Sequence, residues 1–225
     1  MTTSSSSLGP GLQAQLDATT QHARAVLPAD IIDVFLDDAA AMGRSAELTA
    51  HALREDAAAP PFTLPNAAGQ AVALDALLAH GPVVVAFYRG AWCPYCNLQL
   101  KAYQQSLTDI EALGASLVAI SPQAPDGSLT MQEKHGLQFE VLSDAGNVVA
   151  RQFGLVFTLK PHVQEIALRV DSDLRQANAD GSWDLPVPAT YVLDRQGIIR
   201  LAYVEGDYTQ RLEPARILDA LRGLA

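Results

Sequence analysis

Cysteine is scarce: Cys93 and Cys96 are the only two in 225 residues, too few for a structural disulfide framework. They supply only half of a structural zinc site, which takes four ligands. The five histidines, His22, His51, His80, His135 and His162, stand singly with no ligand spacing. Each reads as a surface or satisfied side chain, so no metal site is expected. Positive charge is also thin, with 15 Lys and Arg against 25 Asp and Glu and a net charge of -10. That balance favours solubility and argues against a nucleic-acid surface. No apolar stretch is long enough to span a bilayer, so no membrane association is expected. The stretch Met1 to Pro10 carries neither a basic n-region nor an apolar h-region, and Arg24 is the first positive side chain. A secretory leader is therefore not expected, and a cytoplasmic location is. No internal repeat is visible.

What remains is an ordinary globular composition, 49% hydrophobic and 18% charged, enough for one sizeable core or a core with an extension. The chain is organised around Val83-Val84-Val85-Ala86-Phe87-Tyr88-Arg89-Gly90-Ala91-Trp92-Cys93-Pro94-Tyr95-Cys96. The β-branched apolar run reads as a buried strand that stops at Arg89-Gly90, and an amphipathic segment follows. Both cysteines sit at that strand-to-helix junction. A thiolate there faces unpaired backbone N–H groups and the positive end of a helix dipole, which lowers its pKa and makes it nucleophilic. Residues three apart on a helix share nearly one face. The pair therefore reads as a redox-active dithiol able to bridge within one turn.

Residues 1 to 10 read as a flexible tail, and two helices follow, broken at Pro28. The first carries Leu12, Leu16, Ala23, Val26 and Leu27; the second carries Ile31, Phe35, Ala39 and Met42 and ends near Gly43. A third short helix is expected from Ala46 to Ala57. Residues 1–52 thus form a tail and helical extension, and 53–225 the main domain. Two readings of the helices are open: an arm covering the main domain, or a dimerisation element. A hairpin is expected around Phe62-Thr63-Leu64 and Val72, turning at Pro65 to Gly69. Helices are expected at Leu74–His80, after Cys96 with Leu100, Tyr103, Leu107 and Ile110 on one face, at Leu129–Lys134, at Ala145–Phe153, and from Glu213 to Leu224. Strands are expected at Ser116–Ser121, Phe139–Leu142, Tyr191–Asp194 and Ile198–Tyr203, the last two joined by the turn Asp194-Arg195-Gln196-Gly197. Residues 155–186 give no clear pattern beyond helical spacing from Val163 to Leu174. The alternation predicts an α/β sheet of mixed direction.

Trp92-Cys93-x-x-Cys96 opening a helix, with Pro188-x-Thr190 before a late strand, resembles the thioredoxin fold. Further residues narrow the resemblance to the peroxiredoxin-like AhpC/TSA (alkyl hydroperoxide reductase/thiol-specific antioxidant) branch. Ala59-Pro60-Pro61-Phe62-Thr63-Leu64 is similar to that group's Ala-Pro-x-Phe-x-Leu. Phe87-Tyr88 with Cys96 eight residues on matches its Phe-Tyr-Pro-x-x-x-Thr-x-x-Cys loop. Leu142-Ser143-Asp144 with Val149-Ala150-Arg151-Gln152-Phe153-Gly154 resembles a stretch present there and not in thioredoxins. The chain departs at three places: Arg89 stands for the loop Pro, Cys93 for the Thr, and Pro188 aligns with the late-strand active-site Arg. Thioredoxins carry a cis-proline at that last position, so Val187-Pro188 is expected to be cis.

The resemblance implies a thioredoxin-like, peroxiredoxin-type mixed β-sheet flanked by helices. It also implies a thiol peroxidase that needs no cofactor, reduces hydrogen peroxide and organic hydroperoxides, and is recycled by thioredoxin or glutaredoxin. It implies Cys96 as the attacking thiolate and Cys93 as the resolving thiol, and homodimer formation is compatible with it. Under the thioredoxin alignment the roles swap: Cys93, nearer the helix start and more exposed, attacks disulfides. A non-catalytic redox-sensing or interaction module is the third reading. Arg89 either replaces the missing Arg or is a half-exposed strand-end residue paired with a carboxylate. Trp92, Tyr88 and Tyr95 read as packing around the dithiol. Trp183 and Tyr208 read as core or interface.

Overall fold

The computed structural model describes residues 11–224, so the expected tail at residues 1–10 falls outside the described residues. The elements run α1 (Leu12–Val26), α2 (Ala29–Gly43), α3 (Ala46–Ala50), β1 (Thr63–Pro65), β2 (Ala71–Ala73), α4 (Leu74–His80), β3 (Val83–Phe87), α5 (Pro94–Gln105) and α6 (Leu107–Ala112). They continue β4 (Ser116–Ser121), α7 (Pro125–His135), β5 (Glu140–Ser143), α8 (Val148–Gln152), β6 (Val156–Thr158), α9 (Pro161–Arg169) and α10 (Leu174–Ala177). The chain closes with β7 (Asp184–Pro186), β8 (Ala189–Leu193), β9 (Ile199–Val204) and α11 (Pro214–Arg222).

Strand β3 is apolar throughout because both of its faces are covered. Val84, Ala86 and Tyr88 face one core with Leu100, Tyr103, Ile110 and Ile217. Val83, Val85 and Phe87 face the other with Phe153, Tyr191 and Leu142, as the two-residue period of a strand requires. The central sheet has the order β5-β4-β3-β8-β9. Strands β3, β4 and β5 are parallel, β8 is antiparallel to β3, and β9 to β8. The sheet is therefore of mixed direction, as the strand–helix alternation predicts. Strand β3 is at its centre, and the chain leaving its end is held on several sides.

Several boundaries differ for local reasons. The helix after the dithiol breaks at Ser106 into α5 and α6, yet Leu100, Tyr103, Leu107 and Ile110 are all buried on the expected face. Helix α3 stops at Ala50 rather than Ala57, because the Leu53 and Asp56 amides donate to the Phe153 and Ile199 carbonyls of the main body. Helix α7 starts four residues earlier than expected, at Pro125, where proline suits a first helical position. The unreadable stretch holds the antiparallel pair β6–β7, with α9 and α10 between its strands. All described peptide bonds are trans, so the expected cis bond at Val187-Pro188 is corrected. In this conformation the Val187 amide donates to the Leu155 carbonyl at 2.7 Å and the Pro188 carbonyl accepts from Glu205 at 3.3 Å.

The N-terminal helices pack on their own chain. Leu12 and Leu16 are buried in the core that holds α5. The Glu213 carboxylate accepts from the Leu12 and Gln13 amides at 3.1 and 2.8 Å, satisfying two orphan donors at the start of α1. Helix α2 is tied to α9 by Lys160–Asp38 and Arg169–Asp30 ion pairs, both 2.8 Å. No described helix is long and apolar enough to cross a membrane.

Candidate active site

The chain leaving β3 turns at Gly90, whose φ of 149° lies in a region that favours glycine. A Cβ there would stand 2.4 Å from Trp92 Nε1, so only glycine lets the Trp92 ring fold back over the turn. Cys93 then occupies the N-cap position of α5, with Pro94 at the first helical position. Cys96 falls in the first turn, among the amides that have no intrahelical partner. Both cysteines are reduced and buried. Neither sulfur is open to solvent: Cys93 is 1% exposed and Cys96 0%.

Burial alone would push the Cys96 thiol up. A hydrogen bond from the Cys93 thiol, the charges of Arg211 and Arg89, and the Arg89 backbone amide outweigh it and hold Cys96 well below the usual thiol range. Cys93 is driven the other way, by burial and by its hydrogen bond to Cys96. The two sulfurs thus have opposed proton affinities, low at Cys96 and high at Cys93.

The cation that touches the thiolate is one the sequence reading missed. Arg211 Nη2 donates to Cys96 Sγ at 3.5 Å. Its guanidinium is buried and makes no ion pair among the described residues. It is aimed by Gln99 Oε1 at 2.8 Å, by the Gln210 carbonyl at 2.7 Å and by the Tyr208 carbonyl. Gln99 in turn donates to Tyr103 Oη at 3.2 Å, and Tyr103 Oη lies 3.0 Å from Thr190 Oγ1. A buried polar network therefore runs from the thiolate to β8, where a fixed dipole costs no reorganisation when charge moves.

Arg89 does not take the half-exposed, carboxylate-paired form. It is 5% exposed, and no described carboxylate forms an ion pair with it. Its guanidinium lies 3.9 Å from the Tyr208 ring centroid and 4.9 Å from that of Trp92, a desolvated cation–π stack. Its Nε has no hydrogen-bond partner. Tyr208, for which the sequence offered only core packing, supplies that ring, donates its hydroxyl to the Phe35 carbonyl of α2, and lends its own carbonyl to Arg211. Tyr95 bonds Thr20 of α1 at 2.9 Å. Pro188 is buried, and the register of Phe87 with Ala189 puts it opposite Tyr88 at the sheet end that carries the dithiol. Arg89, Trp92 and the cysteines are thus brought together as expected, with Arg211, Gln99 and Tyr208 added. Position was the obstacle for Arg211, which lies in an irregular stretch between β9 and α11. The one signal was the Asp207-Tyr208-Thr209 turn beside it, held by Asp207 Oδ1 accepting from the Thr209 amide and hydroxyl.

An apolar cavity of about 450 Å³ opens against this cluster, lined by Cys93, Arg89 and Trp92 together with side chains of α1, α2, α9 and α10. Cys96 is behind Cys93 and not on the wall. No group of three or more His, Cys, Asp or Glu side chains arranged to hold a metal occurs among the described residues. The arrangement can hold a thiolate in a dry site, stabilise a developing oxyanion and bring a second thiol onto the first.

The sequence profile described as the AhpC/TSA family matches residues 56–202. Similar proteins include chloroplastic peroxiredoxin Q of Sedum lineare, 33% identical over 144 residues that cover 64% of this chain and 65% of that protein. Chloroplastic peroxiredoxin Q of Populus jackii is 31% identical over 146 residues, 65% of this chain and 58% of its own length. The chain thus matches a little under two thirds of these relatives' length. Among solved structures, the peroxidoxin BcpB of Mycobacterium tuberculosis superposes with a TM-score of 0.61 at 23% identity, covering 77% of this chain and 99% of that one. Peroxiredoxin Q of Xanthomonas campestris gives 0.55 at 18% identity, covering 72% and 90%. At those identities the superpositions establish the shared fold.

Proposed function

The chain belongs to the AhpC/TSA family, and we propose that it is a thiol-dependent peroxidase that cycles a Cys93–Cys96 disulfide. The observation that carries this reading is the geometry of the site: two reduced, buried cysteines share the start of α5, and Arg211 Nη2 donates to Cys96 Sγ at 3.5 Å. A side-chain rotation of Cys93 admits a hydroperoxide from the cavity to Cys96. The thiolate attacks the terminal oxygen, the S–O bond forms as the O–O bond breaks, and the departing oxyanion takes a proton to leave as water or an alcohol. Arg211 and Arg89 stabilise the charge as it moves from sulfur to oxygen. The Cys93 sulfur then attacks Cys96 sulfenic acid, and the hydroxyl leaves as water with the Cys93 proton.

A dithiol reductant, thioredoxin or glutaredoxin, restores the pair by attacking Cys93, the sulfur on the cavity wall. The cycle suits a compartment that keeps such reductants reduced, and we place it in the cytoplasm. Residues 1–52 are in this reading the extension, whose helices α1 and α2 roof the site of the 53–225 domain. The second reading, thiol–disulfide exchange led by Cys93, is favoured by the place of Cys93 on the wall. It is opposed by the raised proton affinity of Cys93, since the thiolate and not the thiol is the attacking species. The test is turnover of hydrogen peroxide with a dithiol reductant. The proposal expects activity that Cys96→Ser abolishes; rapid insulin-disulfide reduction with no peroxide turnover overturns it in favour of the second reading.

A further inference from the structure

Arg211 is carried by residues 206–213, the irregular segment between β9 and α11. Its guanidinium donates to the Tyr208 and Gln210 carbonyls of that same segment, so it goes where the segment goes. On the sheet side the segment is held at Leu212, whose carbonyl accepts from Tyr103 Oη at 3.1 Å. On the other side the N-terminal helices grip it at both ends. Gly206 passes so close to α2 that a Cβ there would stand 2.3 Å from the Met42 carbonyl oxygen. A Cβ on Gly43 would likewise stand 2.8 Å from Asp207 Cβ. Glu213 accepts from the Leu12 and Gln13 amides at the start of α1, while its side chain makes no cap for its own helix α11. Between these ends the Tyr208 hydroxyl adds one bond to the Phe35 carbonyl. Helices α1 and α2 and residues 206–213 all lie outside the 56–202 family match. The cation at the thiolate and the helices that grip its segment are thus both additions to the shared framework.

We propose that α1 and α2 are the positioning element for Arg211: by gripping its segment at Gly206 and Glu213 they keep the guanidinium on the Cys96 sulfur, and Gly206 and Glu213 are positioning residues for the reaction. The inference rests on the peroxidase reading, with Cys96 as the attacking sulfur. A displacement of about 1 Å in a reacting group can cost about 10²-fold in rate, so the grip matters to chemistry as well as to folding. An arm that lifts away takes the segment with it, and both the thiolate and the departing oxyanion lose their cation.

The experiment is a double-mutant cycle in the full chain, read by stopped-flow reaction with hydrogen peroxide across pH. Gly206→Ala wedges the segment off α2; Gly206 has no positive φ, so the alanine strains nothing but that contact. Glu213→Ala releases α1. Each is expected to slow the reaction by about fivefold or more, with a ceiling at the ~10²–10³-fold of losing the cation outright. Each is also expected to move the acid decline of the rate to higher pH, and Glu213→Gln, which keeps an acceptor, to recover part of the loss. In an Arg211→Met background the same substitutions should cost less than about twofold, because no guanidinium remains to be misplaced. Circular dichroism verifies folding, and the Glu213 variants carry the comparison if Gly206→Ala does not fold. Wild-type rates and pH profiles in folded variants overturn this inference alone, and so does a loss of equal size with and without Arg211. A protein whose Cys96 does not react with peroxide overturns the peroxidase reading and the inference with it.

Discussion

Arg211 and Cys96 are 115 residues apart in the chain, and Arg211 Nη2 donates to Cys96 Sγ at 3.5 Å. The contact joins the loop before α11 to the first turn of α5 and sets a cation against the Cys96 sulfur. Arg211→Met is expected to slow the reaction with peroxide by about 10²–10³-fold, the usual cost of removing one oxyanion donor. Arg211→Lys is expected to recover part of that loss, because it keeps the charge without the fork that Gln99 aims. Stopped-flow rates, with circular dichroism to verify folding, check both.

The pH profile follows from the same contact. With Cys96 held below the ordinary thiol range, its thiolate persists as pH falls through about 8.5, the free-thiol value. The bimolecular rate constant should therefore stay level through neutrality and decline only in acid. In Arg211→Met the decline should move to higher pH, because the thiolate loses a cation that stabilises it. Absorbance of the thiolate near the far-ultraviolet edge, titrated in the reduced protein with and without Arg211→Met, follows the shift.

The two cysteines should behave unequally. Cys93→Ser is expected to react once with peroxide and accumulate sulfenic acid, since no second sulfur resolves it. Cys96→Ser leaves a Cys93 whose pKa burial pushes up, and it should be slow toward both peroxide and iodoacetamide. Dimedone trapping followed by mass spectrometry separates the two.

Much of this was legible from the chain, and the parts that were not share a cause. The run Val83-Val84-Val85 announced a strand buried on both faces, and Leu74–His80 and Ser116–Ser121 appear with the bounds their local patterns predict. Cys93 and Cys96 stood out as a candidate dithiol through their spacing at the strand-to-helix junction. Contacts between distant segments were invisible. Strands β6 and β7 are three residues each, and they exist only because Phe157 pairs with Leu185 across an intervening pair of helices. Arg211 lies in no regular element, and no periodicity aims it. The cavity is a product of how α2 meets α9 and α10, a property of packing rather than of any one segment.

Backbone geometry gives a stability test apart from the chemistry. Gly154 has φ 71°, and a Cβ there would stand 2.0 Å from the His51 carbonyl oxygen. Gly154→Ala should cost about 1–3 kcal/mol from the backbone conformation alone, with the clash in addition, and lower Tm by about 2–4 °C per kcal/mol. Thermal unfolding checks it.

Tyr208 links the arm to the site. Tyr208→Phe keeps the ring beneath Arg89 and removes the hydroxyl that bonds the Phe35 carbonyl. A loss of about 0.5–1.5 kcal/mol is expected, with faster amide exchange in α2 and little change in peroxide turnover.

The most direct test mixes the fully reduced protein with one equivalent of hydrogen peroxide and follows Trp fluorescence and free thiols together. We expect both thiols to disappear for each peroxide consumed, and a peptide map to show Cys93 joined to Cys96. Thiols that survive the peroxide, in a protein that remains folded, would contradict the account at its centre.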